Sequence, residues 1–171
     1  AYHRRQRQMC IRDRILIMLK GKIIQSIIAA VFSAITIGVL TLLTYKTPYG
    51  VFLIASFGSS MVLLYGYPES PFAQPKNVFF GHLLTSFVGI IILMFIPLPI
   101  FITIPIAVGL GVGFMILFNV THPPAGGNPI IVIMGSVSFD YLFSPVITGS
   151  IIILIFAIIL NRLILRKKYP S

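Results

Sequence analysis

Apolar residues run almost unbroken through 23–45, 78–96, 100–118 and 144–162, and no other feature constrains the fold as strongly. Each run is long enough to cross about 30 Å of hydrocarbon as a helix. In that solvent the backbone must satisfy its own hydrogen bonds, which rules out open strands. Two shorter apolar runs lie between the long ones. The run 51–66 carries FGSS at its centre, and 123–136 opens out of NVTHPPAGGNPII (119–131). Only 9% of the 171 residues are charged, against about a quarter in a soluble domain. No polar stretch is long enough for a separate soluble domain. The chain therefore reads as one all-α, polytopic transmembrane domain.

The net charge of +10 is unevenly placed. The segment AYHRRQRQMCIRDR (1–14) holds five of the basic residues and reads as a translated adapter sequence, not as native protein. It is set aside as an expression scar would be, which leaves 15–171 as the folded domain. Cys10 goes with it, so neither a disulfide nor a thiolate metal site is expected. The other basic residues sit at membrane edges. Lys20 and Lys22 precede the first run, Lys76 lies between 51–66 and 78–96, and Arg162, Arg166, Lys167 and Lys168 follow the last run. Counted by the positive-inside rule, six crossings put these seven on the cytoplasmic side of the cell (inner) membrane, with both termini, and leave only Lys46 and Asp140 in the outer loops. A four-span alternative, with 51–66 and 123–136 re-entrant or interfacial, gives the same sidedness. The lipid bilayer is the expected partner. A homo-oligomer is compatible with the sequence. Nucleic acid is not expected, because no aromatic-basic platform accompanies the charges.

A shift of the chain by about 68 residues brings similar features together. Gly58-Ser59-Ser60 falls on Gly126-Gly127-Asn128, and Gly81 falls on Gly149. Six segments then form two inverted three-helix repeats, about 20–87 and 88–165, with short broken helices second and fifth. In inverted-repeat transporters such short, Gly/Pro-interrupted segments point to the binding site. Local chemistry agrees. His122 precedes a proline and is pushed into an extended conformation. Pro123 or Pro124 suits the first turn of a helix, where a missing N–H costs nothing, with Thr121 or His122 near the cap. Ala125, Gly126 and Gly127 leave room for close approach. A helix N-terminus exposed at membrane depth presents free N–H groups and about half a positive charge, suited to an anion. Gly58, Ser59 and Ser60 would offer small residues and hydroxyls from the opposite leaflet. The candidate substrate-binding residues are Gly58, Ser59, Ser60, Asn77, His122, Pro123, Pro124, Ala125, Gly126, Gly127 and Asn128.

Each residue also has a plainer reading. His122 binds substrate or relays a proton, its unperturbed pKa being about 6.5, or it caps the short helix. His82, at the start of the 78–96 run, reads as structural or interfacial. Glu69 and Lys76 pair across the ESPFAQPKN loop or are simply solvated. Asn77 caps the third span or joins the site, and Asn128 lines a pathway or bonds between helices. Gly109, Gly111 and Gly113 read as helix packing, since no P-loop lysine accompanies them. No enzyme is expected. Two histidines and two acids (Glu69, Asp140) are scattered over different segments, without metal-ligand spacing or a nucleophile motif. No catalytic residue, metal or cofactor is assigned.

THPPAGGNP (121–129) and ASFGSSMVLLYGYPESPFAQPKNVFFGHLLTS (55–86) closely resemble the two recognisable blocks of the HPP family of integral membrane proteins. The hydrophobic layout extends the resemblance over roughly residues 20–165. The family is thought to consist of transporters, and plant chloroplast members are associated with nitrite transport. The resemblance thus implies a transporter or channel for a small inorganic anion, with nitrite the leading candidate. The alternative is a non-transporting structural or sensory subunit of a membrane complex. The family is often described with four spans, against the six read here.

Overall fold

The computed structural model describes the backbone of residues 2–48 and 50–171, and the side chains from Met18 onward. The expectations for the 1–14 arm and Cys10 fall on residues whose side chains are not described. Among the described residues every regular element is helical.

Four helical stretches are long and apolar enough to cross a membrane. The first is the Met18–Lys46 part of α1 (Tyr2–Lys46). The second is α3 (Pro75–Phe95), which opens with Pro75 in its first turn behind an extended Gln74, where proline loses no hydrogen bond. The third is α4 (Ile100–Leu117), set off from α3 by the Pro97 to Pro99 break. Asn119 ends it with φ 54, a left-handed conformation that asparagine tolerates better than most residues. The fourth, Leu142–Ile164, has α6 (Thr148–Ile158) at its centre, a wide π-helical turn (Ile159–Ile164) after it, and before it the segment Leu142–Ile147, kinked at an extended Ser144 (φ −133, ψ 115).

The two short runs form broken helices. In the first, α2 (Ala55–Met61) continues as a π-helical turn, Val62–Gly66. In the second, a 3₁₀ turn (Pro123–Gly127) leads into α5 (Asn128–Met134). Twelve residues at 1.5 Å each cover about 18 Å, which falls short of the hydrocarbon thickness. Four helices are therefore of spanning length, which fits the four-span alternative, and the second and fifth apolar runs form short broken helices.

Contacts along the short segments fix their direction. Phe52 N–H donates to Thr44 Oγ1 at 2.9 Å, and Gln25 Nε2 donates to the Gly66 carbonyl at 2.8 Å. The segment 52–66 therefore runs antiparallel to α1, from one end of it toward the other. On the other side of the molecule, His122 lies against Gly81, and Pro129 and Val132 lie against Gly89. α5 therefore runs parallel to α3. The largest buried cluster joins α1, α2 and α6 through Leu40, Phe57, Leu64, Ile153 and Leu160. A smaller one joins α3, α4 and α5 through Val88, Ile92, Ala107 and Ile133. The exterior is apolar as well, with Ile27, Phe101, Leu110 and Leu117 exposed. Water would penalise such a surface, and lipid would not.

Candidate functional site

The two broken helices pass side by side, antiparallel. Ser56 Oγ donates to Asn128 Oδ1 at 2.6 Å, and one turn further along α2 Ser60 Oγ lies 2.8 Å from His122 Nε2. Ser56 and Ser60 are i and i+4, so a single face of α2 supplies both hydroxyls. His82 of α3 completes the arrangement. Its Nε2 lies 3.0 Å from the same Ser60 oxygen, and its ring packs edge-on against His122 with centroids 4.9 Å apart. The Phe57 ring covers it at 5.0 Å. Asn128 Nδ2 reaches His82 Nδ1 at 3.0 Å, the His82 carbonyl at 3.2 Å and Thr85 Oγ1 at 3.2 Å. His122 Nδ1 meets the Phe72 carbonyl at 2.7 Å.

Ser60, His82, Thr85, His122 and Asn128 are all completely buried. A polar group without partners in such a place costs several times what a satisfied one contributes, which explains the density of bonding. Among the described residues, no Asp, Glu, Lys or Arg is buried beside the pair, and no third histidine, cysteine or carboxylate joins it to hold a metal ion.

Local sequence explains how the pieces are held. His122 is extended (φ −132, ψ 99) and precedes a 3₁₀ turn that opens on Pro123, as the His-Pro-Pro order requires. Ser70 accepts from Phe72 N–H and Gln74 Nε2 donates to the Pro68 and Ser70 carbonyls, so the 67–74 loop presents the Phe72 carbonyl in a fixed place. The C-terminal residues hold that loop from behind. Tyr169 Oη donates to the Ala73 carbonyl at 2.9 Å, and Lys167 Nζ lies 3.3 Å from Glu69. The Glu69 carboxyl is held below the ordinary carboxylate range, first by its own backbone N–H and then by Lys167. The Glu69 partner is therefore Lys167 and not Lys76.

Several placements differ from the sequence-based expectation. Ser60, His122 and Asn128 come together at the site. Gly58 and Ser59 are exposed on the other side of α2, because 100° of helical rotation per residue carries them away from Ser60. Pro123 is exposed, while Pro124 and the buried Ala125 shape the turn without a polar contact to the pair. Asn77 does not cap α3, whose cap is Gln74. It donates instead to the Thr121 carbonyl at 3.0 Å, tying α3 to the extended segment that carries His122. The first turn of α2 meets the first residue of α5 directly, Ser56 against Asn128, and the buried Ser60, His82, His122 and Asn128 side chains lie bonded to one another where the two broken helices meet. Ser56, Thr85 and, above all, His82 are central residues that the candidate set omitted.

The close approach expected at Gly126 and Gly127 occurs elsewhere. A Cβ on Gly126 would meet only Val112 Cγ2, at 3.9 Å, and one on Gly127 would meet nothing within 4 Å. On Gly81 it would lie 2.8 Å from His122 Cβ and 3.1 Å from the Val120 carbonyl. Gly81→Ala is therefore expected to push His122 away and lower stability by about 1–3 kcal/mol, while Gly126→Ala stays near neutral. Denaturant unfolding of the two variants in detergent checks this, and equal losses would refute it.

Two transmembrane proteins of Dictyostelium discoideum are similar to the chain. One is 36% identical over 148 residues, covering 81% of this chain and 48% of its own length. The other is 34% identical over 125 residues, covering 69% and 44%. The chain thus spans about half the length of these curated relatives. No solved structure matches it significantly. The profile of the family described as "HPP, transmembrane region" matches residues 18–170. That match takes in all four spanning helices and both broken ones, and the chain belongs to the HPP transmembrane family.

Proposed function

We propose that the protein is a permease for a small inorganic anion, nitrite being the first candidate, and that the anion passes the Ser60–His82–His122–Asn128 cluster. The observation that carries this reading is the composition of the cluster. Hydroxyl, imidazole and amide groups converge where two broken helices cross, and no buried carboxylate opposes them among the described residues. Intramembrane ionisable groups are costly and usually functional. Buried hydroxyls without partners at Ser86, Thr148 and Ser150 add further polar stations on α3 and α6. A polar species crossing the domain would find partners there. No chemical transformation is assigned to the cluster.

In this reading the chain crosses the bilayer six times, four times as full helices and twice as an extended or 3₁₀ lead plus a half-helix. The antiparallel course of 52–66 along α1 supports it. So does an internal correspondence. A shift of 68 residues carries 55–66 onto 123–134 and 75–95 onto 143–163, the observed limits of the second broken helix and nearly those of the last span. Gly81 and Gly149, which the same shift superposes, each lie against the broken helix of the other half. These are the relations expected of two inverted repeats. With Lys167 beside Glu69, the C-terminal end lies with the 67–74 loop, and the positive-inside rule puts both on the cytoplasmic face of the inner membrane.

A second reading has its own support. Every member of the buried cluster is hydrogen-bonded, and the chain spans about half the length of its relatives. A structural or sensory subunit would fit both facts. Uptake of labelled nitrite into proteoliposomes holding the purified protein separates the readings. A permease raises the initial rate well above that of protein-free vesicles, and Asn128→Ala removes the gain. A rate equal to that of empty vesicles would end the permease reading.

A further inference from the structure

We propose that the Ser60-bridged histidine pair is a binding site for one proton, taken up at His122 Nε2, and that the anion moves together with this proton. The coupling half of the proposal rests on the permease reading, whereas the proton site rests on the hydrogen-bond geometry alone.

The hydrogens of the cluster follow from which partner can only accept or only donate. Asn128 Nδ2 faces the His82 carbonyl, and Thr85 already gives its hydroxyl hydrogen to the Gly81 carbonyl at 2.8 Å. A reversed Asn128 amide would set its oxygen against the His82 carbonyl, which can only accept, so the amide nitrogen points at His82 and the amide oxygen accepts from Ser56. His82 Nδ1 therefore receives a hydrogen bond and carries no proton. The His82 proton is on Nε2 and is donated to Ser60 Oγ. At the other end, His122 Nδ1 faces the Phe72 carbonyl, which can only accept. The His122 proton is then on Nδ1, its Nε2 is bare, and Ser60 donates to it. The two histidines are held in opposite tautomers, and Ser60 accepts from one and donates to the other.

This arrangement has room for one more proton. Ser60 Oγ also lies 3.1 Å from the Ser56 carbonyl, a second acceptor for the same hydroxyl. When a proton adds to the lone pair on His122 Nε2, no covalent bond breaks. The Ser60 hydroxyl turns to the Ser56 carbonyl, and its oxygen accepts from both rings. Every donor keeps an acceptor in the charged state. A second proton would have to go to His82 Nδ1, which the Asn128 amide already faces with a donor, and it would put two charges 4.9 Å apart between ring centroids. Such a pair is strongly disfavoured in a dry interior.

The surroundings leave that single charge uncompensated. The groups facing the two rings are Ser60 and the Phe57 ring from α2, the Asn128 amide, and the Phe72 carbonyl from the 67–74 loop. Among the described residues the only other titratable group beside either histidine is its partner, and no carboxylate is buried nearby. An isolated buried charge is costly. A monovalent anion drawn to the imidazolium restores neutrality, and the neutral cluster offers no such charge. Proton and anion therefore enter as a pair.

The test uses ¹⁵N-histidine NMR on the whole protein in bilayers, with His82→Gln and His122→Gln for assignment. At neutral pH His82 should show the Nε2–H form and His122 the Nδ1–H form. On acidification His122 should gain a proton while His82 keeps its tautomer. Identical tautomers, or His82 protonating first, would overturn the proton site. The coupling is read as the initial rate of nitrite uptake, net of protein-free vesicles, with and without an acid exterior. Wild type and Ser60→Thr should speed up several-fold with the gradient, and Ser60→Ala should not respond to it. Uptake that ignores the gradient in wild type would overturn coupling and leave the permease standing. No uptake under any gradient would end the permease reading, and coupling with it, while the NMR result still decides the proton site.

Discussion

Replacing Asn128 by alanine is expected to cost about 2–4 kcal/mol of stability, the largest loss from any single polar truncation in the domain. Asn128 makes three hydrogen bonds: its oxygen accepts from Ser56, and its two N–H hydrogens are shared among His82 Nδ1, the His82 carbonyl and Thr85. Membrane hydrogen bonds average only about 0.6 kcal/mol, because the unfolded chain in lipid also finds partners, so three of them supply roughly 2 kcal/mol. The remainder comes from what is left behind. The Ser56 hydroxyl and His82 Nδ1 would be buried without partners, and alanine leaves too little room for water to serve both. Asn77 provides the comparison, since it is half-buried and makes one such bond, to the Thr121 carbonyl. Asn77→Ala should lose about 0.6 kcal/mol. Denaturant titration of both variants in the same detergent measures the difference. A loss in Asn128→Ala no larger than in Asn77→Ala would mean that the buried network adds nothing to the fold.

The spans were legible because hydrocarbon imposes one simple rule. The runs 100–118 and 144–162 became 100–117 and 142–164, differing only at their ends. The break after His122 was legible for a local reason too, since His-Pro-Pro dictates an extended residue followed by a tight helical start. Depth was harder to read. His82 looked interfacial because the apolar run begins at 78, whereas α3 begins at Pro75. Seven residues of helix set His82 about 10 Å beyond that start. The facing of α2 was also misread. The GSS triplet drew attention to Gly58 and Ser59, although the signal lay in the i, i+4 spacing of Ser56 and Ser60. The partner of Glu69 could not be read at all, because Lys167 is close only after the whole chain has folded. Local rules gave the turn, periodicity would have given the face, and contacts distant in sequence gave no signal.

Gly149 should be the least replaceable glycine. A Cβ there would overlap Phe57 Cε2 and lie 2.5 Å from the Phe52 carbonyl oxygen. The Phe57 ring is itself pinned between this glycine and His82, so it has little freedom to yield. The Phe52 carbonyl is backbone, in the segment whose N–H is held by Thr44. Relief therefore requires α6 to move away from the broken helix, which opens the main core cluster around Leu64 and Ile153. Gly149→Ala is expected to cost about 3 kcal/mol, the upper end for overpacking. It should also disturb the histidine pair through Phe57, which the ¹⁵N spectrum would register as altered His82 lines. Gly109 and Gly113 make the control. A Cβ at either meets nothing within 4 Å, so alanine there should be neutral, or stabilising by up to about 1 kcal/mol through helix propensity. The contrast separates the two uses of glycine in this chain. In α4 these two positions only soften the helix, whereas in α6 Gly149 lets a helix and a broken helix come within backbone contact. A Gly149→Ala protein as stable as Gly109→Ala would show that the α2–α6 contact is looser than its geometry requires, and Phe57 could then no longer be what holds His82 against Ser60.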